Sequence, residues 1–283
     1  MTRSAVAAVL AACVLSTTAL AQTTPEYGDE VYRPRLGQTG KDVIWIPTPD
    51  SLVTKMLTAA RVTKDDIVYD LGAGDGKIAI AAARDFGARA FGIEYNPDMA
   101  ELARRNAKRA NVDQRVTIIT GDIFVEDFSK ATVVTMYLLP ELNLRLRPII
   151  LKMKPGTRVV SHAFHMGDWE PDEQLLESGR DAYLWYVPAN VEGVWTFKED
   201  GGSMTEGTVA FAQRYQRIGG SVNVTGQSQP MLAAALRGDD LRFAYVDADQ
   251  NLRTAHVKVT GNTFEGTLSL HGSVNMPVKG VRR

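Results

Sequence analysis

The chain has 283 residues, enough for one large domain or two ordinary ones. Its composition, 45% hydrophobic and 23% charged, is that of a globular protein rather than of a disordered or collagen-like chain. The net charge of −1 excludes a global basic field that would draw the protein to nucleic acid or anionic membrane, and the single cysteine, Cys13, excludes a disulfide framework or a thiolate metal site.

The N-terminus reads as an export signal over residues 1–21. Arg3 supplies a short positive region, and residues 5–15 form an apolar run too short for a typical bilayer span. Ala19-Leu20-Ala21 fits a small-x-small cleavage site, which would leave Gln22 as the new N-terminus of a periplasmic chain without a stable membrane span. Leu10-Ala11-Ala12-Cys13 offers a rival lipoprotein box and a membrane-anchored protein. The residues after Cys13 remain apolar, which favours simple cleavage.

Residues 22–44 are polar and carry Pro25, Gly28, Pro34, Gly37 and Gly40, the composition of an extended arm. A first domain is expected over 45–188. Trp45-Ile46-Pro47-Thr48-Pro49 leads into a helix capped by Asp50 or Ser51, with Leu52, Val53, Met56, Leu57 and Ala60 on its apolar face. Strands at 67–71, 88–93, 116–120, 132–138 and 158–163 then alternate with helices at 78–85, 98–110 and 141–153, and 182–187 reads as a further strand. That alternation predicts an α/β fold with a doubly wound, mostly parallel sheet.

The turn after the first strand carries the chemistry. Val68-Tyr69-Asp70-Leu71-Gly72-Ala73-Gly74-Asp75-Gly76-Lys77 places Gly72, Gly74 and Gly76 at alternate positions. Such glycines let the backbone turn sharply and approach a nucleotide closely. A pyrophosphate site wants a later third glycine and no adjacent acids. Asp70 and Asp75 would instead attract a cation such as an amino group or a sulfonium. Further acids follow the next strands, Glu94 after the second and Asp122, beside Ile123, after the third. Ligands of open parallel sheets bind beyond the carboxyl ends of the strands, so these acids are expected to share one site.

From Val191 onward short alternating segments at 194–197, 207–215, 221–224, 241–246, 255–259, 263–270 and 275–281 read as strands. Gly219-Gly220, Gly238-Asp239 and Gly261-Asn262 read as turns. This predicts a small antiparallel β-barrel or sandwich over 189–283, with no metal cluster and no nucleic-acid platform.

The acid-x-Gly-x-Gly-x-Gly order resembles class I S-adenosylmethionine-dependent methyltransferases. In that resemblance Asp70 lies near the methionine moiety, Glu94 bridges the ribose hydroxyls, and Asp122 takes the adenine amino group with Ile123 on the ring. Many methyltransferases of nucleobase amines place Asn/Asp-Pro-Pro-aromatic after the fourth strand, whereas this chain has Tyr137-Leu138-Leu139-Pro140. That segment, with Pro47-Thr48-Pro49, Gly92–Pro97 (Gly-Ile-Glu-Tyr-Asn-Pro), Ser161-His162-Ala163-Phe164 and Trp169-Glu170-Pro171-Asp172, resembles the lysine N-methyltransferases of the ATP synthase c subunit and the adenine nucleotide translocator. The resemblance implies transfer to a protein lysine. Tyr137, with Pro140, is the candidate at the reacting end, or Tyr137 is a core aromatic at a strand end; Thr48 and Trp45 form a lid over the cofactor or simply pack the entry segment. A small-molecule methyltransferase and a non-catalytic exported binding protein are the alternatives. Oligomeric state is left open. His162 or His165 assists deprotonation or serves as a structural histidine.

Overall fold

The structure of the protein, a computed structural model, describes residues 27–199, 206–224, 226–270 and 274–283. The expected export signal and its cleavage site at Ala21, together with arm residues 22–26, lie outside the described residues. No helix among the described residues is long and apolar enough to cross a membrane.

α1 (Asp50–Ala59) buries Leu52, Val53, Met56 and Leu57, the stripe set by their helical spacing. It is followed by β1 (Ile67–Leu71), α2 (Lys77–Phe86), β2 (Arg89–Glu94), α3 (Pro97–Arg109), β3 (Val116–Thr120), β4 (Val133–Met136), α4 (Pro140–Ile150) and β5 (Arg158–His162). β1 pairs in parallel with β2 and β4, β2 with β3, and β4 with β5. β6 (Glu173–Glu177) and β7 (Arg180–Tyr186) complete the order β3-β2-β1-β4-β5-β7-β6, with β7 antiparallel to both neighbours. Helices α1, α2 and α3 cover one face, packing Leu57, Ala82 and Ala103 into a core shared with Val68, Ala90 and Val160. On the other face α4 sets Leu142, Leu146 and Ile150 against Leu71, Val134 and Val159. The chain order reverses between β1 and β4, so a crevice opens at their carboxyl ends.

Two local corrections concern this sheet. β4 ends at Met136 rather than continuing to 138, which leaves Tyr137-Leu138-Leu139 as a free extended segment before Pro140 begins α4. β5 stops at His162 because Ala163 turns to φ +64. β6 is invisible to periodicity, since Leu175 is its one buried residue.

The second sheet contains β8 (Gly193–Glu199), β9 (Glu206–Arg214), β10 (Arg217–Val224), β11 (Gln227–Pro230), β12 (Leu232–Arg237), β13 (Asp240–Val246), β14 (Leu252–Thr260), β15 (Thr263–Leu270) and β16 (Val274–Arg282). Its order is β11-β10-β9-β8-β16-β15-β14-β13-β12, antiparallel throughout. The two ends approach each other, with Met231 N donating to Gly220 O at 2.9 Å, so the sheet curls into a nearly closed barrel. Trp195, Phe197, Phe211, Phe243, Tyr245 and Phe264 fill its interior. Gly219-Gly220 is not a turn. Both glycines lie inside β10, where a Cβ on Gly220 would stand 1.8 Å from Ala210 O of β9. The chain instead reverses at Tyr215-Gln216, with Tyr215 at φ +54.

Candidate active site

The crevice at the carboxyl ends of β1, β2 and β4 deepens into a cavity. Among the expected site residues Thr48, Asp70, Gly72, Gly74, Glu94, Asp122, Ile123 and Tyr137 all line it. Gly76 and Pro140 do not. Gly76 caps α2 at φ +83, and its missing Cβ lets the turn lie against Ala103 of α3. Pro140 is the exposed first residue of α4.

Backbone geometry explains the glycines. Gly72 and Gly74 have φ of +79 and +55, in the left-handed region that glycine adopts without strain. The Trp45 indole lies directly on the loop, so a Cβ on Gly74 would come within 2.7 Å of its Nε1. The strand ends then place the acids. Asp70 is buried at the end of β1 and accepts a 2.8 Å hydrogen bond from Thr135 Oγ1 of β4. Burial pushes its pKa up to about 7 against that hydrogen bond, and the fields of Asp75 and Glu94 add to the rise. No cation pairs with Asp70 among the described residues. At the end of β2 the two oxygens of Glu94 accept from Gly74 N at 2.8 Å and Asn96 N at 2.9 Å. One carboxylate thus ties the glycine loop to the start of α3, where the Asn96 side chain caps the helix through the N–H groups of Asp98 and Met99. Burial raises the pKa values of Glu94 and Asp75 as well.

Asp122 lies at the far end of the cavity. Its Oδ1 accepts from Phe124 N and its Oδ2 from Lys41 Nζ, at 3.0 and 2.6 Å. Lys41 also stands 4.8 Å from the Tyr95 ring centroid and holds the Asp122 pKa down. Lys41 is a site residue that sequence reading missed, since 81 positions separate it from its partner and nothing local marks it. It belongs to a strap of residues 27–48 that crosses the cavity. The strap is pinned outside by Asp29, whose carboxylate meets Arg105 at 2.7 Å and Arg109 at 2.9 Å on α3.

The opposite end of the cavity is aromatic. Tyr137 is half-buried, and its hydroxyl has no hydrogen-bond partner among the described residues. Its ring packs on His162 at 3.8 Å between centroids and on Phe164 at 6.2 Å. His165 leaves this cluster and packs on Tyr183 instead.

A model of the ANTKMT methyltransferase domain matches residues 70–173. The protein-lysine N-methyltransferase of Saccharolobus islandicus is 45% identical over 148 residues, which make up 51% of this chain and 92% of that protein. The chain belongs to this methyltransferase family. It is also similar to the Xenopus laevis lysine N-methyltransferase of the ATP synthase c subunit, at 28% identity over 54% of this chain and 62% of that protein. The crystal structure of a Salinibacter ruber protein named as an RNA methyltransferase, in complex with S-adenosyl-L-homocysteine, shares 50% identity and a TM-score of 0.51. The match covers 52% of this chain and 96% of that one. This methyltransferase therefore uses S-adenosylmethionine as its donor. The cavity fits that molecule. A buried carboxylate without a cation stands ready for a positive group, the glycine loop exposes backbone to it, and both Glu94 oxygens retain acceptor capacity for a diol.

Proposed function

We propose that the protein transfers methyl groups from S-adenosylmethionine to lysine side chains of proteins. In this reading Asp70 holds the positive end of the methionine moiety, Glu94 the ribose hydroxyls, and Asp122 with Ile123 the adenine. The bound donor supplies an electrophilic methyl on a sulfonium. The chain's own contribution is orientation and exclusion of water. Leu138 and Leu142 line the wall next to Tyr137, so a lysine entering there leaves water and loses its proton more easily than in solution. With its proton given up to water, the neutral amine would take the methyl as the methyl–sulfur bond breaks and S-adenosylhomocysteine leaves, with Tyr137 offering its hydroxyl or ring face to the nitrogen.

The observation that carries the acceptor class is the free Tyr137-Leu138-Leu139 segment after β4. It presents no amide or carboxylate that would hold a planar base amine, which counts against a nucleobase despite the name borne by the Salinibacter ruber protein. The names of the archaeal and amphibian relatives support lysine. The test is incubation of the enzyme with radiolabelled S-adenosylmethionine and whole-cell lysate, followed by separation into protein, RNA and small-molecule fractions. Label recovered as methyllysine after acid hydrolysis is expected. Label confined to RNA or to small molecules would remove the lysine reading.

Residues 1–21 are proposed to direct export, and the pattern from Arg3 to Ala21 supports this. Cell fractionation with N-terminal sequencing is expected to find Gln22 first in a periplasmic fraction. A cytosolic chain beginning near Met1 would overturn it.

A further inference from the structure

One buried polar contact at the aromatic end of the cavity is not accounted for by donor binding. Thr48 Oγ1 and His162 Nδ1 are 3.0 Å apart, both residues are almost fully buried, and they come from places 114 positions apart in sequence. Isolated burial of two polar groups costs stability, so the pair is made to satisfy each other. The packing of the imidazole ring, whose edge holds Thr48, is what gives the contact a use. The imidazole lies on the Tyr137 ring, whose hydroxyl is free to meet an acceptor. Thr48 itself lines the donor cavity and ends the strap that carries Trp45 over Gly74. A continuous chain of contacts therefore runs from the strap through His162 to the ring nearest the acceptor.

We propose that His162 is a positioning residue for methyl transfer: anchored by Thr48, its ring fixes the Tyr137 ring against the acceptor, so that acceptor alignment depends on the strap being closed. This rests on the lysine reading for the identity of the acceptor, but not for the contact chain. Burial, with the field of Arg180 adding to it, lowers the imidazole pKa to about 4. The ring is uncharged near neutral pH and does not repel an incoming ammonium. It is also too weak a base to take the acceptor's proton, which assigns it geometry rather than proton transfer.

The experiment compares wild type, H162A, H162F, T48V and the double variant T48V/H162F. Two quantities are read: the rate of label transfer into lysate fractions at saturating S-adenosylmethionine, and S-adenosylhomocysteine affinity by calorimetry. H162A is expected to slow transfer about 10²-fold, the scale of an ångström-sized misalignment, while affinity stays within about threefold. H162F keeps a ring but loses the anchor, and T48V loses the anchor from the other side. Each is expected to cost about tenfold, with the double variant no worse than the poorer single, because both break one link. Unchanged transfer in H162A overturns the proposal. So does a parallel fall in rate and affinity across all variants, which marks a purely structural role, or additive losses in the double variant. If wild type labels RNA or small molecules instead of protein, the lysine reading fails alone, and the same comparison is made on the labelled fraction. Wild type that binds S-adenosylhomocysteine yet labels no fraction overturns both.

Discussion

Asp70 shows how a binding group is kept at the expense of the fold. Its folded pKa of about 7 lies above the ordinary carboxylate value, so between about pH 4 and 7 the folded state binds more protons than the unfolded chain. Asp70 therefore makes stability fall as pH rises through that window, the raised Glu94 and Asp75 act in the same direction, and the depressed His162 acts against them below about pH 6.5. Thermal unfolding of the ligand-free protein followed from pH 5 to 8 is expected to show the wild type losing stability relative to Asp70→Asn as pH rises, which isolates the Asp70 contribution from that of His162. Asp70→Asn keeps the acceptor for Thr135 and removes the buried charge. It is expected to raise the melting temperature at pH 8 by about 4 °C, corresponding to about 1–2 kcal/mol in a chain of this size, while S-adenosylhomocysteine binding is lost. An unchanged melting temperature would mean that the carboxylate is not strained. Gly74→Ala makes a separate case. Its Cβ would press on the Trp45 indole at a φ of +55, so the strap must lift. Calorimetry is expected to show affinity reduced about tenfold or more, a cost of about 1.4 kcal/mol.

At the scale of elements, short-range chemistry decides some features and long-range pairing decides others. The parallel strands and the start of α3 were legible because β-branched runs, Pro97 and the glycine turn each carry a local signal, whereas the Asn96 cap was seen only in the structure. The candidate site residues at strand ends followed from the same signals plus the rule for open sheets. β6, β11 and β12 were not legible. β11 is polar throughout, and β12 carries a register shift between Leu232 and Ala235, with Ala233 at φ +45. Gly219-Gly220 misled because two adjacent glycines look like a turn, yet Gly220 is needed for close approach to β9. Gly220→Ala would drive a Cβ into the Ala210 carbonyl. It is expected to destabilise the barrel by about 3 kcal/mol or more, read as a lower denaturation midpoint. A change under about 0.5 kcal/mol would show that β10 can shift at little cost.

For the whole molecule, the barrel is not a loose appendage. The tip of the β9–β10 hairpin docks on the loop between β5 and β6. There Gln216 accepts a 3.0 Å hydrogen bond from Trp169 Nε1, and Tyr215 stacks on the same indole. Arg214 reaches Asp168 at 2.7 Å, Arg217 pairs with Glu170, and Arg147 of α4 meets Asp168 from the other side. The exposed ion pairs contribute little singly, whereas the fully buried Trp169 makes the joint cohesive. Near its start this loop carries Phe164 beside Tyr137, so the barrel braces the acceptor end of the cavity from behind. Gln216→Ala combined with Tyr215→Ala is expected to split a single calorimetric unfolding transition into two. One transition in the variant would show that the other contacts hold the units together.

The sequence alone determined the class of the fold, the order of strands and helices through α4, and which strand-end acids line the cavity. Those depend on spacing, capping and turn chemistry within a few residues. Tertiary structure decided what no short window carries. Lys41 meets Asp122 across 81 positions, Thr48 meets His162 across 114, and the hairpin at Gln216 meets Trp169 across 47. Folding brings these distant groups together: the buried Thr48 and His162 satisfy each other where water is excluded, while the Lys41–Asp122 ion pair stays partly exposed and the Trp169–Gln216 bond sits at the joint between the sheets.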